Sequence, residues 1–279
     1  MQTTMRNVKI SVITVVYNDV DNIERTITNV LKQTYPNLEY IVVDGNSTDG
    51  SVNIIKKYSN QLAYWCSEKD KGIYDAMNKG VQHCTGEWII FRNCGDYFRT
   101  PTAIEDVFSK YDDKGEDLII CDTRFFRKNY YIDRQPAILK KQYFDCMPVL
   151  HPSTFIRRST QIKYPFDINY RYSADYCFFI EIFSNGGTYK YFHYVLALFN
   201  NEEGATSNNY QISIKENIYI LKKHNAPKEN IRKLKHKLLK EILKSYIKRI
   251  MPFYSIYVNH NLKKQGWISK SSNYILSEI

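Results

Sequence analysis

An α/β fold with a mostly parallel sheet and helices on its faces is predicted by two observations. Between residues 8 and 121 short β-rich apolar runs alternate three times with amphipathic stretches, the pattern of strand, crossover helix and parallel strand. Each apolar run in this half also ends in polar residues, and in a parallel sheet such ends gather along one edge, where ligands bind.

The elements follow in order. Val8–Tyr17 reads as a strand, and Val20–Gln33 as a helix because its apolar residues fall at 20, 23, 27, 30 and 31. Leu38–Asp44 is the second strand. Ser47–Tyr58 reads as a helix, since the Ser, Thr and Asp at its entry can cap free N–H groups. Leu62–Trp65 is expected as a third short strand, Gly72–His83 as a helix, and Glu87–Phe91 as a fourth strand running into Arg92-Asn93-Cys94-Gly95-Asp96. From Asp117 to about Asn200 the strands become shorter and aromatic-rich, at Leu118–Phe126, Thr154–Arg157 and Tyr189–Phe199, with one helix near Tyr172–Phe183. After the polar stretch 203–209 the chain reads as helical and basic. The expected organisation is one domain over 1–209, with halves 8–100 and 101–209, followed by a basic helical extension over 210–279.

Composition narrows the function classes. With 279 residues and 43% hydrophobic content the chain can bury a large core, which excludes disorder. Its six cysteines form no C-x-x-C pair, so neither a zinc knuckle nor a redox motif is indicated, and a reducing compartment is the simpler expectation. The net charge is +10, and the segment 222–249 alone carries eleven Lys or Arg against Glu229 and Glu241. Basic residues are not interleaved with aromatics as in nucleic-acid modules, and no nucleic-acid partner is expected. No G-x-G-x-x-G follows the first strand, which argues against a dinucleotide dehydrogenase. No basic leader with a cleavage site precedes Ile10, and no window approaches the roughly 18 apolar residues of a spanning helix, so the expected location is the cytoplasm.

The polar strand ends carry the chemistry: Tyr17-Asn18-Asp19, Asp44-Gly45-Asn46-Ser47, Glu68-Lys69-Asp70-Lys71-Gly72 and Asn93-Cys94-Gly95-Asp96. One crevice would then collect an aromatic plane, several carboxylates and helix N-termini. A nucleoside diphosphate needs that set, for its base, its ribose hydroxyls and its pyrophosphate. Singly, each residue has a plainer role. Tyr17 suits a packed strand, Asp44 a helix cap, Asp96 the start of a turn, and Asp70-Lys71-Gly72 a solvated capping turn. Asp75 and Asn78, one helical turn apart, either touch the sugar or form a surface pair.

Longer motifs extend this set. Ser11-Val-Ile-Thr-Val-Val-Tyr-Asn18 and Val30-Leu-Lys-Gln-Thr-Tyr-Pro-Asn-Leu-Glu-Tyr-Ile-Val-Val-Asp-Gly-Asn-Ser-Thr-Asp-Gly50 lead into Glu68-Lys-Asp-Lys-Gly-Ile-Tyr-Asp-Ala-Met-Asn-Lys-Gly80, Thr85-Gly-Glu-Trp88 and Asn93-Cys-Gly-Asp96. Together they resemble glycosyltransferase family 2, whose members have the GT-A fold, a Rossmann-like sheet flanked by helices. The resemblance is strong over residues 8–100 and weaker over 145–207. It implies an enzyme of the non-processive, polysaccharide-building type, since spans and a Q-x-x-R-W motif are absent. By the same resemblance 8–100 is the nucleotide-sugar half and 101–209 the acceptor half. The backbone at Val15 and the ring of Tyr17 would receive the base, Asp44 would lie beside base and ribose, and Asn46, Asp70, Lys71 and Asn93 would complete the donor site. A second Asp that often follows Asp44 is Gly45 here, which leaves uridine less firmly implied. The D-x-D metal motif keeps only Asp96, with Asn93 placed for ribose or metal. Asp96 is thus the expected ligand of Mn²⁺ or Mg²⁺, phosphates and water filling most positions.

Inverting transfer needs a carboxylate on the face opposite the leaving nucleotide to deprotonate the acceptor hydroxyl. Tyr172-Ser-Ala-Asp-Tyr-Cys-Phe-Phe-Ile-Glu-Ile182 resembles the family segment that supplies this base, and the matching residue is Asp175. Capping of that helix fits Ser173 better, which would leave the Asp175 carboxylate free. His151-Pro152-Ser153-Thr154 also resembles a family segment, with His151 either contacting phosphate or acceptor or satisfied by backbone. The acceptor implied is a saccharide, lipid-linked, in capsule, O-antigen or exopolysaccharide assembly. In 228–250, Ile231, Leu234, Leu238, Leu239, Ile242, Leu243, Tyr246, Ile247 and Ile250 form one stripe among lysines. It either packs on the domain or a second subunit or lies on an anionic membrane at the inner face. The rival from another class is a binding module with a degenerate pocket, suggested by the acids absent at 45, 93 and 95.

Overall fold

The computed structural model describes residues 7–127, 130–140, 143–200, 209–250 and 268–269. Strands β1 (Ile10–Val16), β2 (Leu38–Asp44), β3 (Tyr64–Ser67) and β4 (Trp88–Phe91) are joined by helices α1 (Val20–Leu31), α2 (Ser51–Lys57) and α3 (Ile73–Gln82). They pair in parallel in the order β3-β2-β1-β4. Every residue of β1 is buried because helices cover both faces of the sheet, which is why this strand reads as an unbroken apolar run. Side chains alternate across it. Ile13, Val15, Ile41, Val43, Ile89 and Phe91 face the cluster that includes Met77 and Val81 of α3, while Val12, Val42 and Ile90 meet Ile23, Ile27 and Val30 of α1.

The second half turns the sheet around. After β5 (Tyr97–Phe98) and α4 (Ala103–Phe108), β6 (Leu118–Arg127), β7 (Tyr130–Arg134), β8 (Thr154–Arg157) and β9 (Tyr189–Asn200) extend the same sheet. β8 runs antiparallel between β4 and β6, so the start of β8 lies at the carboxyl edge of β4. Helices α5 (Arg158–Lys163) and α6 (Ala174–Ser184) follow β8, and α7 (Tyr210–Lys223) and α8 (Lys228–Ile250) form a hairpin. A two-residue strand, β10 (Ile268–Ser269), pairs with β7. Ile214, Ile220, Leu221 and Leu234 of the hairpin belong to the same buried cluster as Phe178 and Phe179 of α6.

Four expectations shift. The second helix begins at Ser51 rather than Ser47, entered through the left-handed Gly50 with no side-chain cap. The third strand starts at Tyr64 rather than Leu62, because Ser59–Gln61 turns as a 3-10 helix first. Its half-buried edge position gives it no clean alternation to read. Capping by Ser173 does not occur: its hydroxyl pairs with Ser213 Oγ of α7 at 3.0 Å instead. The α8 stripe splits lengthwise. Leu234, Ile231 and Leu238 pack inward, whereas Leu239, Leu243 and Tyr246 are each more than 60% exposed.

The amino-terminal edge is locked by Glu39. Its carboxylate accepts from Lys9 Nζ, the Ser11 hydroxyl, Thr85 Oγ1 and the backbone N–H groups of Thr85 and Gly86, tying the starts of β1, β2 and β4 together. Burial alone would raise this carboxyl, but the hydrogen bonds from Lys9, Ser11 and Thr85 outweigh it and bring it down to about 2. A folded-state pKa below the unfolded one contributes stability that is present above the ordinary Glu range and lost as pH falls toward 2. Glu39→Gln is therefore expected to cost about 2–3 kcal/mol at neutral pH and much less near pH 2, measured by urea unfolding at both pH values.

Candidate active site

The carboxyl ends of β1, β2, β3 and β4 meet at one edge. Tyr17 leaves β1 with its ring 66% exposed. Asn18 and Asn46 both take left-handed backbone, φ 48° and 68°, a conformation that asparagine tolerates better than most residues. The loops they begin are laced together: Asn18 N–H donates to Ser47 Oγ at 2.8 Å and Thr48 N–H donates to Asn18 Oδ1 at 2.8 Å. Asp44 is fully buried at the end of β2, and its Oδ2 accepts from Ser47 N–H at 2.9 Å and the Ser67 hydroxyl at 2.7 Å. Its Oδ1 has no hydrogen-bond partner.

Gly45 allows the third loop to close on the first two. A Cβ on Gly45 would lie 2.5 Å from Asp70 Oδ2 and 3.2 Å from Tyr17 Cδ2, so both side chains occupy the space an aspartate here would need. Asp70 Oδ1 accepts from Gly72 N–H at 2.8 Å, shaping the turn into α3, and Lys71 N–H donates to Asp75 Oδ2 at 2.9 Å with the Lys71 side chain exposed. Asn78 does not face the crevice. Its amide clamps Phe166, donating to the carbonyl at 2.8 Å and accepting the N–H at 3.0 Å.

The loop after β4 is pinned to the sheet. Cys94 N–H donates to the Val15 carbonyl at 3.2 Å, and Val15 and Val16 stay inside the sheet while Tyr17 stands outside it. Gly95 N–H donates to Thr26 Oγ1 at 3.0 Å. Asp96 is 8% exposed, and burial raises its carboxyl to about 7 although the nearby charge of Arg92 pulls it down. Among the described residues no group of three His, Cys, Asp or Glu is arranged to hold a metal ion. Asp96 and the unpartnered Asn93 Oδ1 offer two oxygens, which fits a hard cation that draws its other ligands from phosphate and water.

Asp175 opens α6 on the far side of α3. The Tyr74 hydroxyl donates to its Oδ1 at 2.8 Å, and Tyr176 N–H donates to the same oxygen at 2.9 Å. Burial pushes this carboxyl up to about 6, against the pull of those two hydrogen bonds. His151 lies elsewhere in character. Its ring sits among Phe91, Phe166 and Phe179 at centroid distances of 5.2–6.0 Å, and burial and the Arg92 charge lower its pKa to about 4. A neutral imidazole can still donate or accept at Nε2, which has no hydrogen-bond partner among the described residues.

Two residues escaped the sequence analysis. Arg92 is fully buried, with its guanidinium carbon 3.9 Å from the centroid of the Phe98 ring and no hydrogen-bond partner for any of its three nitrogens. Its signal was an arginine closing the apolar strand Trp88–Phe91. Tyr74 carried no polar signal, because a tyrosine at an apolar helix position reads as packing. Ten buried side-chain atoms among the described residues lack a partner, and six of them, on Asp44, Arg92, Asn93 and His151, lie at this one edge. Beyond it, a cavity of about 880 Å³ is lined by Arg99, Asp122, Arg134, Lys140, Leu150 and His193. Another of about 660 Å³ opens at the opposite sheet edge, beside Lys9 and Arg157, and holds none of the candidate residues.

Known proteins share this architecture. The first curated relatives matched are 38% identical over 107 residues, and the chain spans 41% of their length. A PGL/p-HBAD biosynthesis glycosyltransferase of Mycobacterium bovis is 30% identical over 190 residues, covering 64% of this chain and 72% of that protein. Staphylococcus aureus TarS 1-349 in complex with UDP superposes with a TM-score of 0.61 at 19% identity, over 88% of this chain and 74% of that one. The mannosyltransferase PcManGT of Pyrobaculum calidifontis, in complex with GDP-Man and Mn²⁺, gives 0.62 at 14% identity, over 97% and 86%. These structural likenesses establish the GT-A fold. The profile of glycosyl transferase family 2 matches residues 11–172, and the chain belongs to that family of glycosyltransferases.

Proposed function

We propose that the chain moves a hexose-type sugar, with inversion, from a UDP-sugar to a hydroxyl of a saccharide acceptor that is lipid-linked, in the assembly of capsule, O-antigen or exopolysaccharide. The observation that carries the donor reading is the gathering of unpartnered buried polar atoms beside an exposed aromatic ring at one sheet edge. Buried polar atoms are ordinarily hydrogen-bonded, so such a gathering fits a polar ligand. Tyr17 stacks the base, and Asp44 Oδ1 and Asn46 accept from base and ribose. The Asp70-Lys71 turn faces the diphosphate. Asp96 with Asn93 would hold Mn²⁺ or Mg²⁺, which when bound offsets charge on the diphosphate.

Asp175 is the proposed base. Its Oδ2 takes the acceptor proton as the acceptor oxygen bonds to the anomeric carbon, and the bond from that carbon to the phosphate oxygen breaks, its electron pair leaving with the nucleoside diphosphate. The cavity beside Arg134 and His193 is assigned to the acceptor, and the division at 209/210 is kept as a functional one. No described helix is long and apolar enough to cross a membrane. The exposed Leu239, Leu243 and Tyr246 among lysines support a peripheral contact with anionic lipid at the inner face of the membrane.

Three measurements test these assignments. Asp175→Asn is expected to lower transfer from nucleotide sugars by at least about 10³-fold while UDP affinity stays unchanged; undiminished transfer would remove the base, and absence of any turnover in the native chain would favour the binding module. Gly45→Ala should weaken UDP binding roughly tenfold by calorimetry, because Asp70 and Tyr17 must retreat. Leu239→Ser with Leu243→Ser should reduce co-flotation with phosphatidylglycerol vesicles, and equal recovery with a halved oligomer mass would assign the same edge to a dimer.

A further inference from the structure

Tyr74 stands at the junction of the two halves of the site. It lies one residue into α3, two residues after Gly72, yet its hydroxyl reaches 2.8 Å to Asp175 on α6, 101 positions later in the chain. The ring is buried and held by Phe166 at 5.5 Å, and the Asn78 clamp fixes Phe166 to the same helix. Helix α3 thus carries both the phenol and the fastening that keeps its ring in place.

Both hydrogen bonds received by the Asp175 side chain from Tyr74 and Tyr176 fall on Oδ1. Oδ2 accepts none from any other described residue. A phenol has one proton to donate, and burial next to Asp175 raises the Tyr74 pKa well above its ordinary value, so the hydroxyl keeps that proton and directs it to Asp175 Oδ1. The other charged group facing this pair is Glu216 of α7, whose carboxylate is engaged by Arg171 N–H at 2.9 Å and Tyr172 N–H at 3.0 Å.

We infer that Tyr74 is a positioning residue that occupies Asp175 Oδ1 and turns Oδ2 toward the acceptor hydroxyl, coupling the donor-side helix to the base. The inference rests on Asp175 being the base. Two consequences follow from the hydrogen bond. It fixes the carboxylate rotamer, which acts on the chemical step and not on donor affinity. It also stabilises the ionised form, so that loss of the phenol leaves the carboxylate buried with one partner fewer and harder to ionise.

Tyr74→Phe keeps the ring and removes the donor. With whichever sugar nucleotide of a UDP- and GDP-sugar panel the native chain turns over, kcat is expected to fall roughly tenfold to a hundredfold while KM for the donor stays within about twofold. Independently of turnover, the Asp175 carboxyl can be followed by carbon NMR in aspartate-labelled protein, its signal assigned by loss in Asp175→Asn. Its titration midpoint should rise by about one pH unit in Tyr74→Phe, as expected for losing a hydrogen bond to a charged group. An unchanged melting temperature guards against simple unfolding, and Tyr74→Leu supplies a second variant lacking the donor. Native kcat and an unmoved midpoint in Tyr74→Phe, with Asp175→Asn inactive, would overturn the positioning role alone. An active Asp175→Asn would overturn the base reading on which it rests.

Discussion

The site depends on one constraint: parallel strands buried on both faces, as β1, β2 and β4 are, can release polar groups only at their ends. β1, β2 and β4 are apolar along their length because α1 and α3 cover them, and Thr14 is tolerated in β1 by bonding to the Arg92 carbonyl at 2.7 Å and the Tyr40 hydroxyl at 2.8 Å. Polarity therefore begins abruptly, at Tyr17, Asp44, Ser67 and Arg92. The parallel register, with Val16 beside Asp44 and Asp44 beside Ser67, sets those transitions side by side. Asp44 binds the arrangement together, since its Oδ2 fastens the loop after β2 to the end of β3 while Oδ1 stays unpartnered.

The electrostatics of this edge differ from a cluster of carboxylates. Asp96 feels the charge of the buried Arg92 guanidinium, whose three nitrogens have no hydrogen-bond partner. Burial of an unpaired arginine is costly, and the face of Phe98 offsets only a small part of that cost.

The strand–helix alternation and the four polar strand ends were legible in the sequence because burial on both faces writes a continuous apolar run and each crossover helix writes a 3.6-residue period, and the family was legible in the motifs those strand ends carry. The edge strand β3 was misplaced by two residues because half-buried side chains leave no such trace. Roles that depend on a distant partner were not legible either. Nothing near Asn78 announces Phe166, nothing near Ser173 announces Ser213, and a tyrosine at position 74 looks like packing until α6 is placed against α3.

The sequence by itself determined which residues stand at the strand ends and hence the fold class, since these follow from local periodicity and residue type, while the reaction class came from the resemblance of its motifs to a family. Tertiary structure alone decided which of those residues meet. Gly45 read as a missing contact, whereas the folded chain makes it the gap that lets Asp70 approach Tyr17. His151 read as a contact of phosphate or acceptor or as a turn residue satisfied by backbone, whereas the folded chain sets its ring among three phenylalanines and leaves Nε2 without a partner. The physical reason is common to both: protonation and contact depend on neighbours brought from remote positions, and a linear pattern carries no distance between them.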